Sequence, residues 1–229
     1  MYNYNELYVY HHLGLGDHII CNGLVRNICK KIKTVNLFCK PEYSPSVSFM
    51  YHDLENLKII EGNDKSIPLL LNDIHIQNKI IIGFDAFHHN HNNEKFDKFF
   101  YSSIGLNFEK RWSDFYVSRD LKREEKLYNT FGIEGEYAFI HEDRSRGYYV
   151  DKNKISNGLQ LLSPDINYTS NIFDYLMLIE NAKEIHVIDS CFKQLIETAD
   201  VKGNLFFHTS KQYNESYLLH TSKKPWIII

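Results

Sequence analysis

The feature that most constrains this chain is an alternation that runs through it twice. Short apolar runs of strand length are separated by longer stretches whose apolar residues fall at helical spacing. In the first half the short runs are LYVYHH, TVNLFCK, NLKIIEG and KIIIGF. A helix is expected from Asp17 to about Lys31, because Ile19, Ile20, Leu24, Ile28 and Ile32 recur on one helical face. Further helices are expected within PSVSFMYHDL and over FDKFFYSSIG, and IPLLL lies in the connection before the fourth strand. An irregular aromatic stretch follows, LNFEKRWSDFYVSRD, and then the pattern restarts. DLKREEKLYNTFG reads as a helix stopped by Gly132, YAFIHED and GLQLLS as strands, and NIFDYLMLIENAK as a helix. EIHVIDS, SCFKQLIETAD and NLFFHTS complete the set as strand, helix and strand. Strands that alternate with helices pair in parallel, with helices on both faces of the sheet. The expectation is therefore an α/β fold of two small Rossmann-like domains, residues 1–117 and 118–229, facing across a cleft.

Composition removes several function classes. With 26 basic and 29 acidic side chains the net charge is −3, which gives no basic face for a nucleic acid. The four cysteines, Cys21, Cys29, Cys39 and Cys191, contain no CxxC pair and read as thiols of a reducing compartment. The opening MYNYNELYVY lacks a basic segment followed by an apolar one, so no signal peptide is expected. No apolar run reaches the roughly 18 residues of a membrane span. A soluble cytoplasmic protein with no transmembrane segment is expected.

Ligands of open parallel sheets bind at the carboxyl ends of the strands, so the residues just after each strand carry the functional information. After the first strand comes HHLGLGDH. Gly14 and Gly16 allow a tight turn and a close approach of backbone to ligand. A dinucleotide fingerprint would place its third glycine at Ile19 and an acid where the second strand ends in CKPEY, and a P-loop would need a GK[ST] that is absent. Asp17 reads either as a helix N-cap or as a carboxylate that takes a proton from a hydroxyl nucleophile. The helix dipole weakens it as a base, which leaves His18 and His12 as other bases, or as ordinary polar residues of the turn.

Four more strand ends carry polar residues. HEDRSRGYYVD crowds His141, Asp143, Arg144, Arg146 and Gly147 into one turn. Two arginines beside a glycine suit a phosphate, and the other reading is a solvated loop with internal Arg–Asp pairs. In VIDSCFKQLIETAD, Asp189 is placed to bind sugar hydroxyls, and Ser190 with the helix N–H groups to hold a phosphate; plain capping is the alternative. Ser163, in LLSPD, ends another strand. FDAFHHNHNNEKF carries His88, His89 and His91, but HHNH is not a zinc spacing, so no metal is expected and the loop reads as a polar lining. His88 and His12 are then acceptor-side candidates. HTSKKPWIII is expected to pack against the body.

Taken together, LGLGDHIICNGLVRNI and NIFDYLMLIENAKEIHVIDSCFKQLIETAD resemble the GT-B glycosyltransferases of the heptosyltransferase-like type, glycosyltransferase family 9. The first is similar to that family's strand, glycine, Gly-Asp and helix opening, and the resemblance implies that Asp17 is the general base. The second is similar to its Asp-Ser turn, and implies that Asp189 and Ser190 bind a nucleotide-diphosphate sugar. More weakly, Arg144 and Arg146, with Gly16, His141 and Ser163 nearby on the donor side, are implied to face the diphosphate. The sequence departs from the family pattern where Asp189-Ser190-Cys191-Phe192-Lys193-Gln194 lacks its glycine and histidine, and where Gly23 replaces a frequent proline. The implied activity is a metal-independent, inverting transfer to a glycan or related hydroxyl, with no cofactor. The alternatives are a non-catalytic nucleotide-sugar binding module, a nicotinamide-dependent oxidoreductase and a plain interaction protein.

Overall fold

The computed structural model describes residues 5–11, 13–73, 78–83, 94–209 and 221–229. The chain divides into two compact units, one running to Ser118 and joined by Thr221, the other beginning at Arg119. His12, His88, His89 and His91 lie outside the described residues.

In the first unit the strands are β1 (Glu6–Tyr10), β2 (Thr34–Cys39), β3 (Leu57–Glu61) and β4 (Lys79–Ile81), all parallel in the order β3-β2-β1-β4. Central β2 is buried at every residue from Val35 to Cys39, as a strand covered on both faces must be, while edge strand β3 stays partly exposed. The long helix expected from Asp17 is two helices, α1 (Leu15–Ile20) and α2 (Asn22–Cys29), broken at Cys21 with φ −82° and ψ 2°. Asp17 is also not the N-cap. Gly14 takes that place in extended conformation, and its carbonyl accepts from the N–H groups of Asp17 and His18 at 3.0 and 3.1 Å. The remaining helices are α3 (Ser44–Met50), α4 (Ser66–Leu71, from the IPLLL stretch), α5 (Phe96–Ser102) and α6 (Lys110–Ser113). The last lies in the segment that reads as irregular in sequence. It packs so closely on α2 that a Cβ on Gly23 would stand 2.1 Å from the Lys110 carbonyl oxygen. The segment that follows is fastened to α2 as well. Asn22 exchanges two hydrogen bonds with the backbone of Tyr116, and Arg26 donates to the same carbonyl while forking onto Asp53.

The second unit contains α7 (Leu121–Thr130), β5 (Tyr137–His141), β6 (Gln160–Leu162), a 3-10 turn at Ile172–Tyr175 that continues into α8 (Leu176–Glu180), β7 (Glu184–Val187), α9 (Cys191–Ile196), β8 (Asn204–Phe207) and β9 (Ile227–Ile228). The strands are parallel in the order β6-β5-β7-β8-β9. β9 comes from the HTSKKPWIII stretch; it pairs with β8, and Trp226 donates its indole N–H to Glu197 at 2.7 Å. The connection from β5 to β6, residues 142–159, holds only two single 3-10 turns, Arg144–Arg146 and Lys152–Lys154.

Strand order reverses between β1 and β4 in the first sheet and between β5 and β7 in the second. Such reversal points open a crevice beyond the carboxyl ends of the strands. Among the described residues, no helix is long and apolar enough to cross a membrane. All four cysteines are free thiols.

Candidate functional site

The first crevice borders the turn after β1. Asp17 is the third residue of α1, partly exposed, in the first turn where a helix favours negative charge. Gly16 beside it is also partly exposed. His18 points the other way. It is 0% exposed and meets the equally buried His11 edge-on, with ring centroids 4.3 Å apart. Of the two first-unit bases the structure describes, Asp17 is the one that reaches the surface. Ile19, where a dinucleotide fingerprint would have glycine, is a core residue at 1% exposure.

The second crevice, between β5 and β7, gathers more of the sequence candidates. His141 ends β5 and packs its ring on Phe192 of α9, with centroids 4.5 Å apart. Burial pushes its pKa down to about 4, so the imidazole is neutral at pH 7. Its Nδ1 is buried and has no hydrogen-bond partner among the described residues. Ser190, three residues past Val187, the last residue of β7 paired with β5, caps α9 through its extended backbone, yet its side chain makes no capping bond. Its Oγ is likewise buried without a partner. Buried polar groups are nearly always hydrogen-bonded, so two orphans flanking one crevice mark a place where a ligand's polar atoms fit. Asp189 and Ser163 stand exposed at the ends of β7 and β6.

The arginines sit on a turn closed by left-handed Gly147 (φ 76°) and by a bridge between Asp143 and Tyr148. Both already hold a carboxylate. Arg144 Nε donates to Glu142 and Arg146 Nε to Asp143, each at 2.7 Å. The Ser145 hydroxyl and Arg146 hold Asp143 down at about 2. The solvated loop with internal Arg–carboxylate pairs is therefore what the turn forms by itself. The two side chains remain 67% and 56% exposed, so an incoming phosphate can exchange with these carboxylates at small cost. Arg146 and Asp143 act electrostatically on both His141 and Cys191, which places the turn, the strand end and the start of α9 in one neighbourhood.

Sequence alone does not single out Glu184, His186 or His208, which form a buried polar chain in the second unit. The available signal was a charged residue and a histidine two apart in EIHVIDS, inside a strand that central placement should make apolar. A cavity of about 440 Å³ in the first unit lies elsewhere, beside Lys30 and Asn56 just before β2 and β3. Arg26 and Lys30 on its wall are paired with Asp53 and Asp114. It borders the amino ends of the strands and none of Asp17, His141, Asp189, Ser190 and the two arginines of the β5 turn. Among the described residues, no group of three His, Cys, Asp or Glu could hold a metal ion.

No family model and no curated protein matches the chain. The solved structures similar to it include the two that follow. A glycosyl transferase family 9 structure from Veillonella parvula DSM 2008 matches 98% of this chain and 86% of its own at 6% identity, with a TM-score of 0.58. The E. coli heptosyltransferase WaaC with ADP matches 98% and 90% at 9% identity, with a TM-score of 0.45. The first of these shares its fold with this chain across both units: two parallel α/β sheets, as in GT-B glycosyltransferases.

Proposed function

We propose that the chain is a glycosyltransferase that moves a sugar from a nucleotide-diphosphate donor to a hydroxyl of a glycan or related acceptor. The observation that carries this reading is the pair of buried, unpartnered atoms, His141 Nδ1 and Ser190 Oγ, beside an arginine turn at the β5/β7 reversal of a transferase-like fold. In this reading the second unit holds the donor. Asp189 meets sugar hydroxyls, Ser190 and the arginines meet the diphosphate, and Ser163 lies at the rim. The first unit holds the acceptor. Asp17 takes the proton from the acceptor hydroxyl as its oxygen bonds to the anomeric carbon, and the bond to the diphosphate breaks on the opposite face, inverting the centre. Charge that grows on the leaving diphosphate is met by Arg144 and Arg146, released from Glu142 and Asp143, so the chemistry asks for no metal. Polysaccharide assembly in the cytoplasm is the setting that such a donor implies.

A second reading, a nucleotide-sugar binding module without turnover, is favoured by one feature. The Asp189–Gln194 turn lacks the glycine and histidine of the family it resembles. Incubation with a panel of nucleotide sugars in EDTA separates the two. Release of a nucleoside diphosphate, faster with acceptor present, is expected of the enzyme. Saturable binding with no release over hours supports the module, and neither binding nor release contradicts both.

A further inference from the structure

The β5–β6 connection is long for a loop without a helix of its own, and such loops in compact domains are commonly functional. In most parallel sheets a helix with an apolar face makes this crossover. Here the loop is held by polar groups instead. Val150 donates its N–H to Glu142, Asp151 donates to Nδ1 of His208 at 3.0 Å, and Ser156 donates both its N–H and its hydroxyl to Glu184. His208 Nε2 lies 3.0 Å from His186 Nδ1, and His186 Nε2 lies 3.1 Å from Glu184 Oε2. These side chains are buried, and the His186 ring stacks on Phe206 at 4.4 Å.

One member of this chain has a fixed role, and it sets all the others. A backbone N–H only donates, so His208 Nδ1 accepts from Asp151. His208 then carries its proton on Nε2 and donates to His186 Nδ1. His186 in turn carries its proton on Nε2 and donates to the Glu184 carboxylate, which also receives the two bonds from Ser156. Both imidazoles are neutral Nε2–H tautomers, and the chain runs one way from loop to sheet and back to loop. Burial agrees with this, since it pushes His208 down to about 4 and also lowers His186. The titratable groups facing His208 are His186 of β7 and Asp151 of the loop, with Glu184 beyond His186.

We propose that His208 is a positioning residue, which, with His186 and Glu184 behind it, pins the loop at Asp151 and Ser156 and so holds the Arg144–Gly147 turn at the end of β5. The role of that turn toward a diphosphate rests on the function proposed above; the pinning of the loop does not. A protonated His208 has no acceptor for Asp151, so acid releases the loop.

The test compares His208→Asn, whose amide oxygen replaces Nδ1 as acceptor, with His208→Gln, whose amide sits at the Nε2 end, and with His208→Ala. Amide exchange at Asp151 and Ser156 is read without nucleotide, and the affinities of ADP, GDP and UDP and of the parent nucleosides are read at pH 7 and at pH 4, where about half of His208 is protonated. His208→Ala and His208→Gln are expected to speed exchange at Asp151 and to weaken the diphosphate about tenfold, leaving the nucleoside unchanged. His208→Asn is expected to restore both and to flatten the pH dependence. Equal behaviour of the Asn and Gln variants, or unchanged exchange in His208→Ala, overturns the proposal. Should no nucleotide bind the wild-type protein, the donor reading falls while the exchange data still decide the pinning. Imidazole nitrogen NMR of the unaltered protein guards against variants that do not fold: two Nε2–H tautomers support the chain, and an Nδ1–H tautomer at His208 refutes it.

Discussion

Asp17 and His18 are neighbours in sequence with opposite fates. A helix turns successive side chains by about 100°, so one reaches the surface while the other enters the core. In the proposed function that rotation, more than any intrinsic basicity, is the reason the base is assigned to Asp17. Asp17→Asn keeps the shape and removes the proton acceptor. Turnover is expected to fall about 10²- to 10⁴-fold with donor affinity unchanged. Equal losses of binding and turnover would point to a donor contact instead. In the same proposal Arg146 belongs to a different step. Arg146→Ala is expected to weaken a nucleoside diphosphate by about tenfold or more while sparing the nucleoside, since only the phosphates use a guanidinium. Comparing the two affinities for one base checks it.

At the scale of elements, close approach and buried polarity matter most. Gly23 lets α2 lie against the carbonyl of Lys110. Gly23→Ala forces backbone apart and is expected to cost about 1–3 kcal/mol in chemical denaturation of the first unit; a change under half a kcal/mol would show that α6 moves aside freely. Buried histidines set the response of the second unit to acid. His141 and His208 titrate near 4 in the fold, against 6.5 for a free imidazole. The unfolded chain binds more protons than the native one between those values, so stability rises with pH across the window and is lost as pH falls from about 6.5 toward 4, by about 1.4 kcal/mol per unit of depression. In the first unit Asp97 opposes this, because desolvation raises its pKa. Denaturation of the second unit at pH 7 and pH 4.5 is expected to show the loss, reduced in His208→Asn.

These elements also show what a sequence makes legible. Strands such as TVNLFC and YAFIH are apolar runs whose length and branching state their role, and the parallel sheets follow. The break at Cys21 is not visible, because the apolar stripe runs straight through it. The helix start at Gly14 is hidden too, since Asp17 is the better cap by type, and the turn's own hydrogen bonds decided the matter. The arginine turn was legible as two alternatives, and its internal ion pairs depend on distances no spacing supplies. The Glu184–His186–His208 chain stayed hidden because His208 lies 22 residues beyond His186 and the fourth partner is a backbone N–H.

For the whole molecule, the fold of a family 9 transferase structure extends across both units of a chain that shares 6% of its residues. At that identity the fold is common ground and the chemistry must come from the site. Each sheet places polar candidates at the reversal point of its strand order, Asp17 near β1 in one unit and His141, Ser190 and the arginine turn near β5 and β7 in the other. The central claim is that the second of these binds a nucleoside diphosphate. Its most direct test is the melting temperature of the protein in EDTA with UDP, GDP, ADP, CMP or NAD(H). A ligand that binds the native state at a hundred times its Kd adds about 2.7 kcal/mol. The expected result is a rise with one nucleoside diphosphate that disappears in Ser190→Ala and Arg146→Ala. A rise with NAD(H) alone, or with no diphosphate at millimolar concentration, would contradict it.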